Sequence, residues 1–326
     1  MFSKSSKCFS FTVYRDWLYR YSFTNAGLRS VITDLGDGTT IHCWVPKSLK
    51  PNKPSLILIH GFGANAMWQY GEYLRHFVPR FNVFVPDLLF FGESSTSRPE
   101  RTESFQALCV KKLMEAHGVW RMNVVGISYG GFVGYSVAAQ FPEAVDKLVL
   151  CCSGVCLEEQ DMKNGLFKVS DLEEATSILV PQTPEKLREL MRFSFVRPAR
   201  GVPSWFLTDF IEVMCMKHVG EKKELIAAIL KGRHLSNLPK ITQSTLILWG
   251  DQDQVFPLEL ALRLKSHIGE TAQMAVIKNA GHALNIEKPK EFAKHLKAFL
   301  IGPQSCNHSP SIKEQIQKTI FDFHRS

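Results

Sequence analysis

The sequence predicts an α/β protein: a mostly parallel β-sheet, helices on both of its faces, and one helical insertion. Three observations carry this. Short apolar runs alternate with segments of helical periodicity, and the runs are nearly continuous in apolar residues, as strands buried on both faces must be. Between Cys156 and Pro239 that rhythm stops, giving way to charged, helix-patterned sequence without a good strand. Finally, Val124-Val125-Gly126-Ile127-Ser128-Tyr129-Gly130-Gly131 joins a β-branched run to small and apolar helical sequence through a Gly-x-Ser-x-Gly turn.

The elements follow in order. Residues 9–30 interleave aromatics with arginines, and on a helix Tyr14, Trp17, Leu18 and Tyr21 share one face. Two readings stand for this segment: a leading helix packed on the domain, or an interfacial helix at a lipid headgroup layer, making peripheral membrane contact through residues 9–23. Residues 29–34 and 39–45 alternate around Asp37-Gly38, a hairpin signal. Strands are then expected at 54–59, 81–85, 121–125, 146–152, 244–249 and 273–277, eight in all with the hairpin. Residues 106–117 read as a helix presenting Ala107, Val110, Leu113 and Met114. This divides the chain into an N-terminal aromatic and basic segment (1–30), a core (31–156 and 240–302), an inserted helical block (157–239) and a tail (303–326) with a helix candidate at 312–323.

Composition bounds the function. With 326 residues, 45% hydrophobic and 21% charged, the chain can bury a large core. Its net charge of +8 is dispersed, with no run of five or six basic residues, so no nucleic-acid partner is expected. The eight cysteines lack metal-ligand spacing, and Cys151 and Cys152 sit in an apolar strand, so neither metal nor cofactor is expected. A reducing, cytoplasmic location of a soluble protein follows, since no signal-peptide pattern and no run of about 18 apolar residues is found.

Four signals fall at the carboxyl ends of predicted parallel strands, where ligands gather. They are His60-Gly61-Phe62-Gly63, the Ser128 turn, Asp253 in Trp249-Gly250-Asp251-Gln252-Asp253, and His282 in Ala280-Gly281-His282. The order Ser, Asp, His is that of a nucleophile-elbow hydrolase. Ser128 needs His282 to take its proton, Asp253 would hold the imidazole, and the backbone N–H groups of Phe62 and Tyr129 are the natural oxyanion donors. Asp251 competes with Asp253 for the acid; Asp87, after another strand, is expected to brace its loop, and His60 to order the oxyanion loop.

Together with Pro86-Asp87-Leu88, Gly92-Glu93-Ser94 and Glu287-Lys288-Pro289, these motifs resemble the serine α/β-hydrolases, specifically the cap-bearing monoacylglycerol lipase-like group, which is also similar to the meta-cleavage-product hydrolases. The resemblance spans roughly residues 30–300. It implies an eight-stranded sheet beneath an α-helical cap. Phe90 departs from the pattern, which has glycine there, so this loop is expected to narrow the pocket floor or shift Asp87. Ser128 at the elbow argues against epoxide hydrolase and dehalogenase chemistry, which needs a carboxylate there. Cleavage of a carboxylic ester is expected, with medium or long acyl chains accommodated by residues among Leu179, Val180, Met191, Phe193, Phe195, Trp205, Phe206, Phe210 and Met214, about half of which would instead pack cap on core. The alternatives are C–C hydrolysis of a vinylogous diketone and a small-ligand receptor with a retained triad.

Overall fold

The computed structural model describes residues 10–169 and 171–302; the helix expected at 312–323 lies outside them. The chain opens with α1 (Phe11–Asn25), capped by the Ser10 hydroxyl, which accepts from the Val13 amide. The antiparallel pair β1 (Leu28–Gly36) and β2 (Thr39–Pro46) follows, so the strand begins inside the segment assigned to the leading helix. Asp37 and Gly38 both have positive φ, 53° and 69°, as a primed two-residue turn requires. Next come β3 (Ser55–Ile59), α2 (Ala66–Tyr70), α3 (Leu74–Phe77), β4 (Asn82–Pro86), a two-residue β5 (Ser95–Thr96) and α4 (Glu103–Ala116). Then β6 (Met122–Ile127) leads into α5 (Tyr129–Gln140), and β7 (Val145–Cys151) follows. Five helices are inserted after it: α6 (Glu159–Lys163), α7 (Leu172–Leu179), α8 (Pro184–Ser194), α9 (Ser204–Met214) and α10 (Val219–Leu230). The fold closes with β8 (Ser244–Gly250), α11 (Leu258–Ile268), β9 (Ala272–Ile277), α12 (Leu284–Glu287) and α13 (Pro289–Ile301).

The sheet order is β1-β2-β4-β3-β6-β7-β8-β9. From β4 to β9 every pairing is parallel, whereas β2 meets β1 and β4 antiparallel. The ninth strand absent from the sequence reading is β5, two residues long and paired with β2 at Thr39 and Thr40. Nothing in its sequence marks it as a strand. From β3 the chain steps outward to β4 on one side and to β6 on the other, which leaves a crevice at the carboxyl ends of β3 and β6. Leu56–Ile59, Val83–Val85 and Val124–Val125 are buried on both faces, matching their unbroken apolar pattern.

The insertion has its own small core. Leu187, Leu207, Ile211 and Cys215 form a buried cluster separate from the main one, whereas Leu225 and Ile229 of α10 belong to the main core. Arg263 clamps Asp161 with two bonds of 2.6 and 2.9 Å, and Arg101 meets Glu224 at 2.7 Å, fastening the insertion at its base.

Phe90 carries a backbone φ of 74°, the left-handed region in which glycine is at ease. Its buried ring is not part of the wall of the apolar cavity described below but lies under the Arg101 guanidinium (4.6 Å) and beside His218 (5.7 Å). The substitution thus trades strain of about 1–2 kcal/mol for packing between loop and insertion. The expectation that it narrows the pocket floor is corrected accordingly. Phe90→Ala keeps the strain and loses the ring, so urea unfolding should record a loss of about 3 kcal/mol. Phe90→Gly should be about 1 kcal/mol milder; glycine proving the worse of the two would refute the strain.

Candidate active site

The elbow is built from close backbone approach. A Cβ at position 126 would stand 2.2 Å from the Gly130 carbonyl oxygen, and one at 130 would stand 2.2 Å from that of Ile59. Only glycine at both lets β6 turn directly into α5 while lying against the end of β3. Ser128 takes the turn with φ 53° and ψ −120°, a conformation costly for a side-chain-bearing residue, and stands at the amino end of α5.

The Ser128 hydroxyl lies 2.9 Å from His282 Nε2, and His282 Nδ1 lies 2.8 Å from Asp253 Oδ2. The other Asp253 oxygen accepts from the Val255 and Phe256 amides, both at 2.9 Å, which fixes the buried carboxylate. With Asp253 accepting at Nδ1, the proton of a neutral imidazole sits there and Nε2 is free to accept from Ser128. Asp251, the competing acid, instead accepts from the Ala280 amide at 3.3 Å.

Asp87 holds the structure behind the loop after β3. It accepts from the Ala66 amide (2.9 Å) and from His42 Nδ1 (2.8 Å). Burial opposes its charge, but the His42 hydrogen bond, the neighbouring His60 and His42 and the Ala66 amide together hold its carboxyl below the usual range. Burial also disfavours charge on the His60 imidazole and pushes its pKa downward. Its Nε2 accepts from the Leu88 amide at 2.9 Å and Nδ1 donates to the Gly61 carbonyl at 2.7 Å, so a neutral ring ties the loop after β3 to the loop after β4. Leu88, Gly61 and His60 are thereby fixed as one unit.

Phe62 and Tyr129 stand next to each other, ring centroids 5.2 Å apart, and neither backbone N–H donates to an acceptor among the described residues. Sequence reasoning missed what holds that loop: Gln69, whose side chain accepts from the Gly61 amide (3.0 Å) and donates to the Gly61 and Phe62 carbonyls (3.2 Å each). It missed Glu287 as well, which accepts from the Gly281 amide (2.7 Å) and from Val196 of the insertion (2.9 Å), joining the His282 loop to the helices above. Its motif was visible, but its partner is about 90 residues distant in sequence. Cys152, read as a strand hydrophobe, adjoins Asp253 and His282 at a φ of 45°; burial, reinforced by Asp253, pushes its thiol strongly up and keeps it protonated.

A second Ser-His-Asp chain exists: Ser30 Oγ to His42 Nε2 and His42 Nδ1 to Asp87, each 2.8 Å. Ser30 lies within β1, its backbone committed to pairing with Trp44, without a helix amino end behind it. Hydrogen bonds alone do not make a nucleophile; free donors beside it are also needed.

An apolar cavity, part of it open to solvent, is walled by Leu157, Phe167, Ile178, Leu179, Phe193 and Phe256. Phe256 lies 5.6 Å from the His282 ring, so the cavity abuts the Ser128–His282–Asp253 chain. Of the residues expected to accommodate an acyl chain, Leu179 and Phe193 line it. Met191, Phe210 and Met214 pack the insertion's own core, and Trp205 and Phe206 face outward. Their helix α9 buries Leu207 and Ile211 instead, a choice of face that periodicity alone leaves open.

The fold and this constellation define a nucleophile-elbow α/β protein. Residues 54–289 match the family model described as alpha/beta hydrolase fold, and the chain belongs to that family. Among curated relatives, it is 27% identical over 284 residues to the monoacylglycerol lipase ABHD6 of Bos taurus, covering 83% of this chain and 82% of that one. The Xenopus laevis protein abhd6-A is 29% identical over 283 residues, covering 82% and 81%. Among solved structures, a membrane phospholipase A, a bacterial virulence factor, superposes with a TM-score of 0.72 at 27% identity, covering 89% of this chain and 90% of that one. A putative lipase from Acinetobacter baumannii AYE gives 0.75 at 22% identity, covering 88% and 95%, a likeness of fold. No helix among the described residues is long and apolar enough to cross a membrane.

Proposed function

We propose that this chain is a serine hydrolase of carboxylic esters with medium or long acyl chains, monoacylglycerol-like in form, with the insertion acting as a cap over the site. The carrying observation is the Asp253–His282–Ser128 chain of 2.8 and 2.9 Å hydrogen bonds beside an apolar cavity. The names of the curated relatives, monoacylglycerol lipases, agree with it.

In this mechanism Ser128 Oγ attacks the ester carbonyl while His282 Nε2 takes its proton. Asp253 stabilises the resulting imidazolium at Nδ1. The carbonyl oxygen becomes negative and is met by the Phe62 and Tyr129 amides, at the positive end of α5. His282 then protonates the departing alcohol, leaving an acyl-Ser128. A water enters, gives its proton to His282 and releases the acid. The cavity's apolar walls, Leu179, Phe193 and Phe256 among them, suit the hydrocarbon part of such an ester.

A series of p-nitrophenyl esters and monoacylglycerols from two to eighteen acyl carbons tests this. kcat/KM should rise at least tenfold from acetate to a mid-length chain, roughly the return of two buried methylenes. A flat or falling series would dismiss the acyl cavity. Consumption of a dienone ring-fission product in preference to every ester would instead select C–C hydrolysis. The same reading includes membrane contact through residues 9–23, developed next.

A further inference from the structure

We infer that the interfacial surface is a joint face of α1 and the insertion, and that its partner is an anionic phospholipid bilayer. This rests on the reading of residues 9–23 as interfacial and moves half of the contact onto α9 and the loop before it.

The anchoring of α1 fixes which side is left over. Phe23 is fully buried against Trp44, 5.1 Å between rings, and Tyr19 packs on Trp68 at 5.6 Å. Asp16 accepts from Asn65 and from the Trp68 indole at 3.0 and 3.2 Å, while the Thr12 amide donates to Asp209 of α9 at 2.9 Å. These contacts hold α1 rigidly on both core and insertion. The opposite side presents Val13, Trp17 and Tyr21 at fourfold spacing, with Trp17 and Tyr21 56% and 59% exposed and stacked at 6.1 Å. Leu18 is exposed next to them.

This stripe continues onto the insertion. The Phe11 ring lies 5.6 Å from Trp205 and 6.1 Å from Phe206, both of them exposed at the start of α9. Immediately before that helix, Arg188 donates to the Val202 carbonyl (3.0 Å) and to Ser204 (2.9 Å), forming the wall of a pocket of about 440 Å³. Arg192 and Arg200 line the same pocket, and neither guanidinium has an ion-pair or hydrogen-bond partner among the described residues. Of the acids on α8, Glu185 lies 3.8 Å from Arg188 and Glu189 is paired with Lys186 at 2.8 Å.

Contiguous exposed Trp, Tyr and Phe are unusual on a protein surface that meets only water. Indole and phenol rings prefer the headgroup layer, where an apolar body and a polar tip are both satisfied. Guanidinium groups match phosphate oxygens with two parallel bonds. The stripe is formed by the exposed faces of α1 and the start of α9. Its basic end and the chain's charge of +8 complement an anionic sheet.

The test is flotation of the full chain with vesicles of phosphatidylcholine, with and without phosphatidylglycerol. Stronger binding to the anionic vesicles, weakened by salt, is expected. Arg192→Gln combined with Arg200→Gln should lower anionic binding about 25-fold, near fivefold per arginine, and leave phosphatidylcholine binding unchanged. Trp17→Ser with Tyr21→Ser, and separately Trp205→Ser with Phe206→Ser, should weaken binding to both vesicle types. Turnover of the soluble p-nitrophenyl butyrate should be unchanged in all three. Failure of the wild-type chain to float, or its dimerisation through this stripe, overturns the proposal. Loss confined to the α1 variant leaves residues 9–23 interfacial and removes the insertion's share, which also overturns it. A chain that floats without hydrolysing any ester separates the two proposals, since docking then stands and the ester reading falls.

Discussion

Ser128→Ala should reduce ester turnover by roughly 10⁵–10⁶-fold in kcat, as loss of an activated serine does in hydrolases using a Ser-His-Asp unit. The Phe62 and Tyr129 amides and the cavity remain, so a small residual rate over water is expected. Alanine tolerates the φ of 53° no worse than serine does, and the exchange removes one hydrogen bond at the site, the 2.9 Å bond to His282. Thermal unfolding should accordingly move by no more than about 1 kcal/mol, which separates lost chemistry from lost fold. A fluorophosphonate probe should label the wild-type chain at Ser128 and leave this variant unlabelled. The Ser30–His42–Asp87 chain supplies an internal control, having the same three residue types at 2.8 Å each, against 2.9 and 2.8 Å at Ser128. Label mapped to Ser30, or undiminished in Ser128→Ala, would remove the elbow from the mechanism.

That contrast bears on how much of this molecule is legible in its sequence. Strands such as 56–59 and 124–127 announce themselves because burial on both faces leaves no polar position to blur the pattern. Glycines 126 and 130 mark the elbow because their reason is local: two backbones in contact. The acid was harder. Asp251 and Asp253 are two residues apart, and the geometry separates them through partners from different loops, Ala280 for one and His282 for the other. Gln69 and Glu287 were invisible as supports, since a glutamine on a short helix or a glutamate before Lys-Pro has many uses and the bond it makes depends on a distant segment. The insertion was least legible. Its helices carry apolar residues on more than one face, so Trp205 and Phe206 suit an acyl cavity as well as an outer surface until α1 is seen to lie beside them.

Gly130→Ala should cost about 3 kcal/mol or more in urea unfolding, near the upper range for overpacking. The added methyl would stand 2.2 Å from the Ile59 carbonyl oxygen and 2.6 Å from that of His60. Both are backbone atoms at the end of β3, so no rotamer change relieves the clash. The sheet must open between β3 and β6, and that displacement moves the Phe62 amide away from Tyr129. A fall of about 10²–10³ in kcat should accompany the lost stability, the usual cost of one misplaced oxyanion donor. Gly134→Ala separates this effect from any general intolerance of α5. There a methyl meets only the Val124 and Leu148 side chains, at 3.1 and 3.4 Å, which can give by a few tenths of an ångström. Alanine also improves helix propensity by about 1 kcal/mol, so stability should stay within that margin and activity should be retained. Equal behaviour of the two variants would mean that the contact between elbow and β3 is not what aligns the two amides, and the preorganised oxyanion site would have to be sought elsewhere.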